Sequence, residues 1–138
     1  MRNASDQRGA AAVEFALLVP FLCLLLFGVV DFGYMLNRDT VINNAAREGV
    51  RTASVGGSKA EVVQTVKDYL PGLPGTLTVT VTCTKPAGTA CANYDTDAAS
   101  GGTAVVKVTY VHPWVTPVGP MFGGSTISLV KTSRMRIE

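Results

Sequence analysis

The stretch Gly9-Ala10-Ala11-Ala12-Val13-Glu14-Phe15-Ala16-Leu17-Leu18-Val19-Pro20-Phe21-Leu22-Cys23-Leu24-Leu25-Leu26-Phe27-Gly28-Val29-Val30 is the one long apolar run of the chain, and its reading decides the fold. Ala10 to Val30, at about 1.5 Å of helix rise per residue, covers about 30 Å, the thickness of a bilayer's hydrocarbon core. Glu14 is the only charge in it. An ionised side chain costs about 2.5–3.5 kcal/mol at the centre of a membrane helix and less near its end. Glu14 is therefore either one half of a functional pair, or an acid about 6 Å inside the apolar end that reaches up to the headgroups.

A cleaved secretory signal fits the run poorly, because such a signal has an apolar region of about 7–15 residues and a small-x-small exit. Here the run reaches Val30 and continues into Asp31-Phe32-Gly33-Tyr34-Met35-Leu36. A retained anchor is expected. Arg2 and Arg8 precede it against Asp6, and the positive-inside rule places that end in the cytoplasm and the residues after Leu36 outside. The net charge of +2, from 12 basic and 10 acidic residues, is spread without a Lys/Arg cluster, so nucleic acid is not an expected partner. Lipid bilayer is.

Cys83 and Cys91 flank the short loop Thr84-Lys85-Pro86-Ala87-Gly88-Thr89-Ala90. Outside the membrane such a pair reads as a disulfide, with two buried free thiols as the alternative. A ring of this size would stabilise the domain by roughly 2.6 kcal/mol on the loop-entropy estimate. Cys23, preceded by Leu22, is expected to be a buried apolar residue.

The helical period does not stop at the membrane. Val41, Ile42, Ala45, Ala46, Gly49, Val50 and Ala53 recur at spacings of three and four, with Arg38, Asp39, Asn43, Asn44, Arg47, Glu48 and Arg51 on the other faces. One helix is expected from Ala10 to Ser54, its small residues suiting close approach of a sheet or another helix. After Gly56-Gly57, Ser58-Lys59-Ala60-Glu61 is a capping box, and Val62, Val63, Val66, Tyr69 and Leu70 give a second, shorter helix that Pro71 stops. From Thr76 the period becomes two: Leu77, Val79, Val81 and Cys83 alternate with threonines. Thr103 to Val111 is a second strand, with Val106, Val108 and Tyr110 on one face. Thr126 to Ile137 is a third, with Ile127, Leu129, Met135 and Ile137 of one parity, interrupted by Lys131 and Ser133 in a way that suggests a bulge or an exposed end. The expected fold is α+β: a long N-terminal transmembrane helix extending into a domain in which a short helix packs on an antiparallel sheet of about three strands. The expected division is a leader at 1–9, the span at 10–36 and an outer domain at 37–138, the last made of a helix extension (37–55), a helix (58–70) and the sheet (76–138).

Catalytic chemistry needs converging groups, and the chain has one histidine, His112, read as a surface residue at a strand end. Asp95 and Asp97 have a spacing seen in calcium loops but lack the later glycine and glutamate, so a solvated loop is the first reading of 93–97 and a metal the second. Gly56-Gly57 and Gly123-Gly124 lack the residues that make a phosphate loop. No enzyme, cofactor or metal site is expected.

Read from its start, the chain places Glu14 five residues after Gly9, followed by Phe15 and an apolar helix. Together with Gly28-Val29-Val30-Asp31-Phe32-Gly33 and Asn43-Asn44-Ala45-Ala46-Arg47-Glu48-Gly49-Val50-Arg51, the run Arg8-Gly9-Ala10-Ala11-Ala12-Val13-Glu14-Phe15-Ala16-Leu17 resembles the processing region of type IV prepilins and pseudopilins. It resembles most closely the TadE-like family of tight-adherence pilus proteins. The resemblance implies a cut between Gly9 and Ala10 by a prepilin peptidase on the cytoplasmic side. It also implies that Glu14, beside Phe15, pairs during assembly with a neighbour's new amine, and that Asp31, Asn43, Arg47, Glu48 and Arg51 belong to the family's helix motif. Implied partners are other pseudopilins or pilins and the inner-membrane assembly platform, and implied roles are pilus assembly, adhesion and biofilm formation. Ala10 stands where many major pilins carry an aromatic residue or Met, and the chain is far longer than the short major pilins of tight-adherence systems, which favours a minor pseudopilin. The competing expectation is an uncleaved single-span anchor carrying a binding or scaffold module of the cell envelope.

Overall fold

In the computed structural model, which describes residues 4–138, the apolar run and its continuation form a single helix, α1, Ala4–Ser54. It begins six residues before the expected start at Ala10, because no proline and only the lone Gly9 interrupts the helical sequence there. Arg2, one of the leader's two basic residues, lies outside the described residues. Pro20 sits inside α1, where it cannot donate to the Ala16 carbonyl one turn back. Nearly all of Gly9 to Val30 is exposed among the described residues, and the free thiol Cys23, expected to be buried, lies on this bare surface. In a bilayer that surface faces acyl chains. The outer half behaves differently: Ile42, Ala45, Ala46, Val50 and Ala53 are fully buried.

Gly56 (φ 86°) ends α1, with its amide on the Ala53 carbonyl and that of Gly57 on the Thr52 carbonyl. The expected capping box then starts α2, Lys59–Asp68: the Ser58 side chain accepts from the Glu61 amide, and the Glu61 carboxylate accepts from the Ser58 amide at 2.8 Å. Val62 and Val66 of α2 are buried against α1. The approach is close enough that a Cβ on Gly49 would lie 2.5 Å from Val66 Cγ2. The small-residue stripe of α1 thus receives a helix on one side and the sheet on the other.

Three antiparallel strands follow in spatial order β1-β2-β3: β1, Thr76–Thr84; β2, Thr103–Pro113; β3, Thr126–Arg136. Short helices α3 (Tyr94–Asp97) and α4 (Pro120–Gly123) occupy the two connections. On β1 the expected alternation holds, with Val81 and Cys83 buried and the threonines between them exposed. On β2, Ala104, Val106, Val108 and Tyr110 face α1 and are fully buried. Val106 and Val108 each contribute about 1.5–3 kcal/mol on burial.

β3 decides between the two readings of its interrupted pattern. Its register against β2 is unbroken from Thr126↔Pro113 to Arg136↔Thr103, so no bulge is present. Lys131 shares the inward parity because its ammonium meets Asp39 of α1 at 2.8 Å, an ion pair at the sheet edge where apolar cover ends. Met135, near the end of this edge strand, is 42% exposed, which is the exposed end that the interrupted pattern suggested. The Cys83–Cys91 disulfide is formed and closes the loop after β1.

The strands run along α1. β3 starts near the membrane span, passes Asp39 through Lys131, and ends where the Glu138 amide donates to the Ser54 carbonyl. β2 runs back the other way, from Ala104 beside the far end of α1 to His112 beside Tyr34.

Candidate functional site

The helix carries the candidate residues at two levels. Gly9, Ala10, Glu14 and Phe15 lie on its N-terminal half, all exposed. Glu14 is one helical turn from Ala10, about 6 Å along the axis. Among the described residues no basic group pairs with it. An unpaired carboxylate is costly at the centre of an apolar span and less so near its end, where Glu14 lies.

The second level is the end of the span. Asp31, one residue beyond the apolar run, is only 7% exposed. Its Oδ1 accepts from the Val115 amide at 3.1 Å and the Thr116 amide at 3.0 Å, and its Oδ2 accepts from the Thr116 hydroxyl. The carboxylate therefore pins the β2–β3 connection to the top of the span with charge-assisted bonds, which are stronger than neutral ones. Sequence reasoning placed Asp31 in a motif but did not find Val115 and Thr116. Their signal is faint: an acid at an apolar boundary, and a threonine in a loop without any charge.

Just above this clamp lies an aromatic cluster. His112, expected at the surface, is 2% exposed, because the β2 alternation that buries Val108 and Tyr110 turns it inward too. Its ring stacks on Tyr110 (5.4 Å between centroids, 19°) and meets the Tyr34 ring edge-on at 5.6 Å. Nδ1 is 2.6 Å from the Pro113 carbonyl and so carries the proton, while Nε2 is buried without a partner among the described residues. The Arg38 guanidinium lies 4.7 Å over the Tyr34 ring. Tyr110 donates to the Pro74 carbonyl at 2.6 Å; burial pushes its phenol pKa up, the nearby Tyr34 adds to the rise and Arg38 opposes it. With one face on Tyr110 and another on Tyr34, this histidine is a packed core residue.

Of the remaining motif residues, Arg47 and Arg51 are exposed one turn apart, and Asn43 and Glu48 are half-buried. None of the four forms an ion pair among the described residues. Asn43, Arg47 and Val50 line a shallow groove against Thr132–Met135 of β3. The structure thus brings Asp31 to a site with loop residues and leaves Glu14 and the Asn43–Arg51 face unengaged. Asp95 and Asp97 are committed elsewhere: Asp95 accepts from the Lys59 amide at 2.6 Å, and Asp97 accepts from the Ala92 and Asn93 amides and meets the Lys85 ammonium at 3.2 Å.

The family model described as TadE-like protein matches residues 9–51. That range starts at Gly9 and takes in Glu14, Asp31, Asn43, Arg47, Glu48 and Arg51; the sheet and Thr116 lie beyond it. No curated protein and no solved structure matches the chain. The similarity falls on α1, the one helix among the described residues that is long and apolar enough to cross a membrane.

Proposed function

We propose that this chain is a minor pseudopilin of a tight-adherence, type IVb-like pilus, a structural protein rather than an enzyme. A prepilin peptidase cuts it between Gly9 and Ala10, the span stays in the bacterial inner membrane with its N-terminus cytoplasmic, and the outer domain helps to initiate or organise assembly, adhesion or biofilm formation. The observation that carries this reading is the unpaired, exposed Glu14 one turn from Ala10, at the start of the family-matched range. Cleavage would create an α-amine at Ala10 with an ordinary pKa of about 7.7–8.0, largely protonated at neutral pH. Such an amine on a neighbouring subunit offsets the acid's desolvation where water is excluded. The unengaged Arg47 and Arg51 offer a second inter-subunit face, to other pseudopilins, pilins or the assembly platform.

The mass of the intact protein extracted from membranes containing active peptidase tests the first step. A chain lacking Met1–Gly9 is expected, and retention of those residues ends the proposal. Glu14→Ala is expected to be cleaved normally yet to fail in assembly. A specific observation favours the second reading, an uncleaved anchor for an envelope scaffold: α1 runs through Gly9 without a break. That reading is distinguished by function surviving a bulky replacement of Gly9.

A further inference from the structure

The connection between β2 and β3 differs in composition from the rest of the outer domain. From Val108 to Val130 there is no Asp, Glu, Lys or Arg. Within it, Trp114-Val115-Thr116-Pro117-Val118-Gly119-Pro120-Met121 exposes apolar side chains, with Val115 53% and Met121 80% accessible. The loop has a defined height. The Asp31 clamp holds it beside the last turn of the apolar run, and Gly28, Phe32 and Met35 of α1 face Trp114, Val118 and Gly119 across an apolar groove of about 180 Å³. Trp114 packs on the Gly119 backbone so closely that a Cβ there would collide with the indole, and its Nε1 donates to the Gly124 carbonyl at 2.9 Å. The ring is half-exposed while its N–H needs no water.

We propose that this loop is a second membrane contact, entering the outer headgroup region of a phospholipid bilayer beside α1. Trp114 sits at the interface, Val115 and Met121 touch the upper acyl chains, and the Asp31–Thr116 clamp fixes the depth at which the outer domain rides. Three observations favour lipid over a second protein chain. The loop's apolar surface meets the span at Gly28 and at Phe32, which is 58% exposed and lines the same groove. Its uncharged stretch ends at Lys107 and Lys131, higher on the sheet. Tryptophan with an apolar body is the side chain enriched at the headgroup level. The inference depends on insertion of α1 and not on processing after Gly9 or on any pilus.

Trp114 is the only tryptophan, so its emission reports on the loop alone. The full chain is reconstituted in phosphatidylcholine–phosphatidylglycerol vesicles carrying bromine either high or deep on the acyl chains. Roughly twofold quenching is expected from shallow bromine and less from deep bromine, as an interfacial ring requires. Cys23, the free thiol of the span, separates the failures. If it resists a membrane-impermeant maleimide while Trp114 is unquenched, the loop contact is overturned and insertion stands; if it is labelled, insertion fails and the loop contact with it. Quenching that appears only as protein is diluted in lipid assigns the groove to a second copy and also overturns the proposal. Val115→Asp with Met121→Asp is expected to abolish quenching while leaving the circular dichroism of the sheet intact; retained quenching in that variant counts against it.

Discussion

Asp31 and Thr116 lie 85 positions apart, and the carboxylate of one accepts both the amide and the hydroxyl of the other at the point where the chain leaves the membrane. Deleting the acid orphans the buried amide and hydroxyl of Thr116 and the part-buried amide of Val115. Asp31→Ala is expected to destabilise the outer domain by about 2–3 kcal/mol, and Thr116→Val, which keeps the amide bonds, by about 1 kcal/mol. Thermal unfolding in detergent micelles, followed through Trp114, measures both. An unchanged midpoint for Asp31→Ala would mean the clamp contributes nothing.

At Gly49 the α2 side chains leave no room for a Cβ on α1. Alanine there gains about 1 kcal/mol of helix propensity but drives a methyl into Val66 Cγ2, a stiff β-branched neighbour, at an overpacking cost of about 1–3 kcal/mol. A net loss of about 1 kcal/mol is expected in urea unfolding. Val66→Ala with Gly49→Ala should cost less than the sum of the two single losses, and strictly additive losses would argue against direct contact.

The Cys83–Cys91 bridge closes a small ring, so its loss is expected to cost about 2–3 kcal/mol by the loop-closure argument. Cys83→Ser with Cys91→Ser, compared with wild type with and without reductant, checks this. Reductant should lower the wild-type midpoint to that of the double variant and leave the variant unmoved.

The parts of this fold that were legible in the sequence are those written in local spacing. Ile42, Ala45, Ala46, Val50 and Ala53 announce the outer half of α1 by period, Ser58 and Glu61 announce the start of α2 by their mutual caps, and Leu77 to Cys83 announce β1 by alternation. What escaped is set by partners far along the chain. Lys131 reads as an interruption until Asp39 is seen beside it. His112 reads as a strand end until Tyr34 covers it, and Asp31 as a polar break until Thr116 folds back onto it. At Glu14 the position is legible in the sequence, and among the described residues no ion pair engages it.

Asp97 should set part of the acid stability. The Asn93 and Ala92 amides and the Lys85 ammonium hold its carboxyl below the usual value of about 3.9. The depressed pKa means the unfolded chain takes up the proton first. The contribution is therefore complete above about pH 5 and is lost as pH falls through the folded value. Asp97→Asn is expected to be less stable than wild type at pH 7 and to lose less between neutral and acid conditions, measured as the urea midpoint against pH. Parallel curves for the two proteins would remove Asp97 from the account.

The alignment of β2 and β3 along α1 has a mechanical consequence. A pull applied between the span and the far end of the domain runs nearly parallel to the strands, across ladder bonds that stand perpendicular to them. Such a load shears the sheet, so many bonds must fail together, whereas a sideways pull on β3 would peel them one after another. Optical-tweezer unfolding from handles on Thr103 and Thr126, at opposite ends of the two strands, is expected to need a higher force than from handles on the paired Thr126 and Pro113, making the domain stiff along the axis of α1.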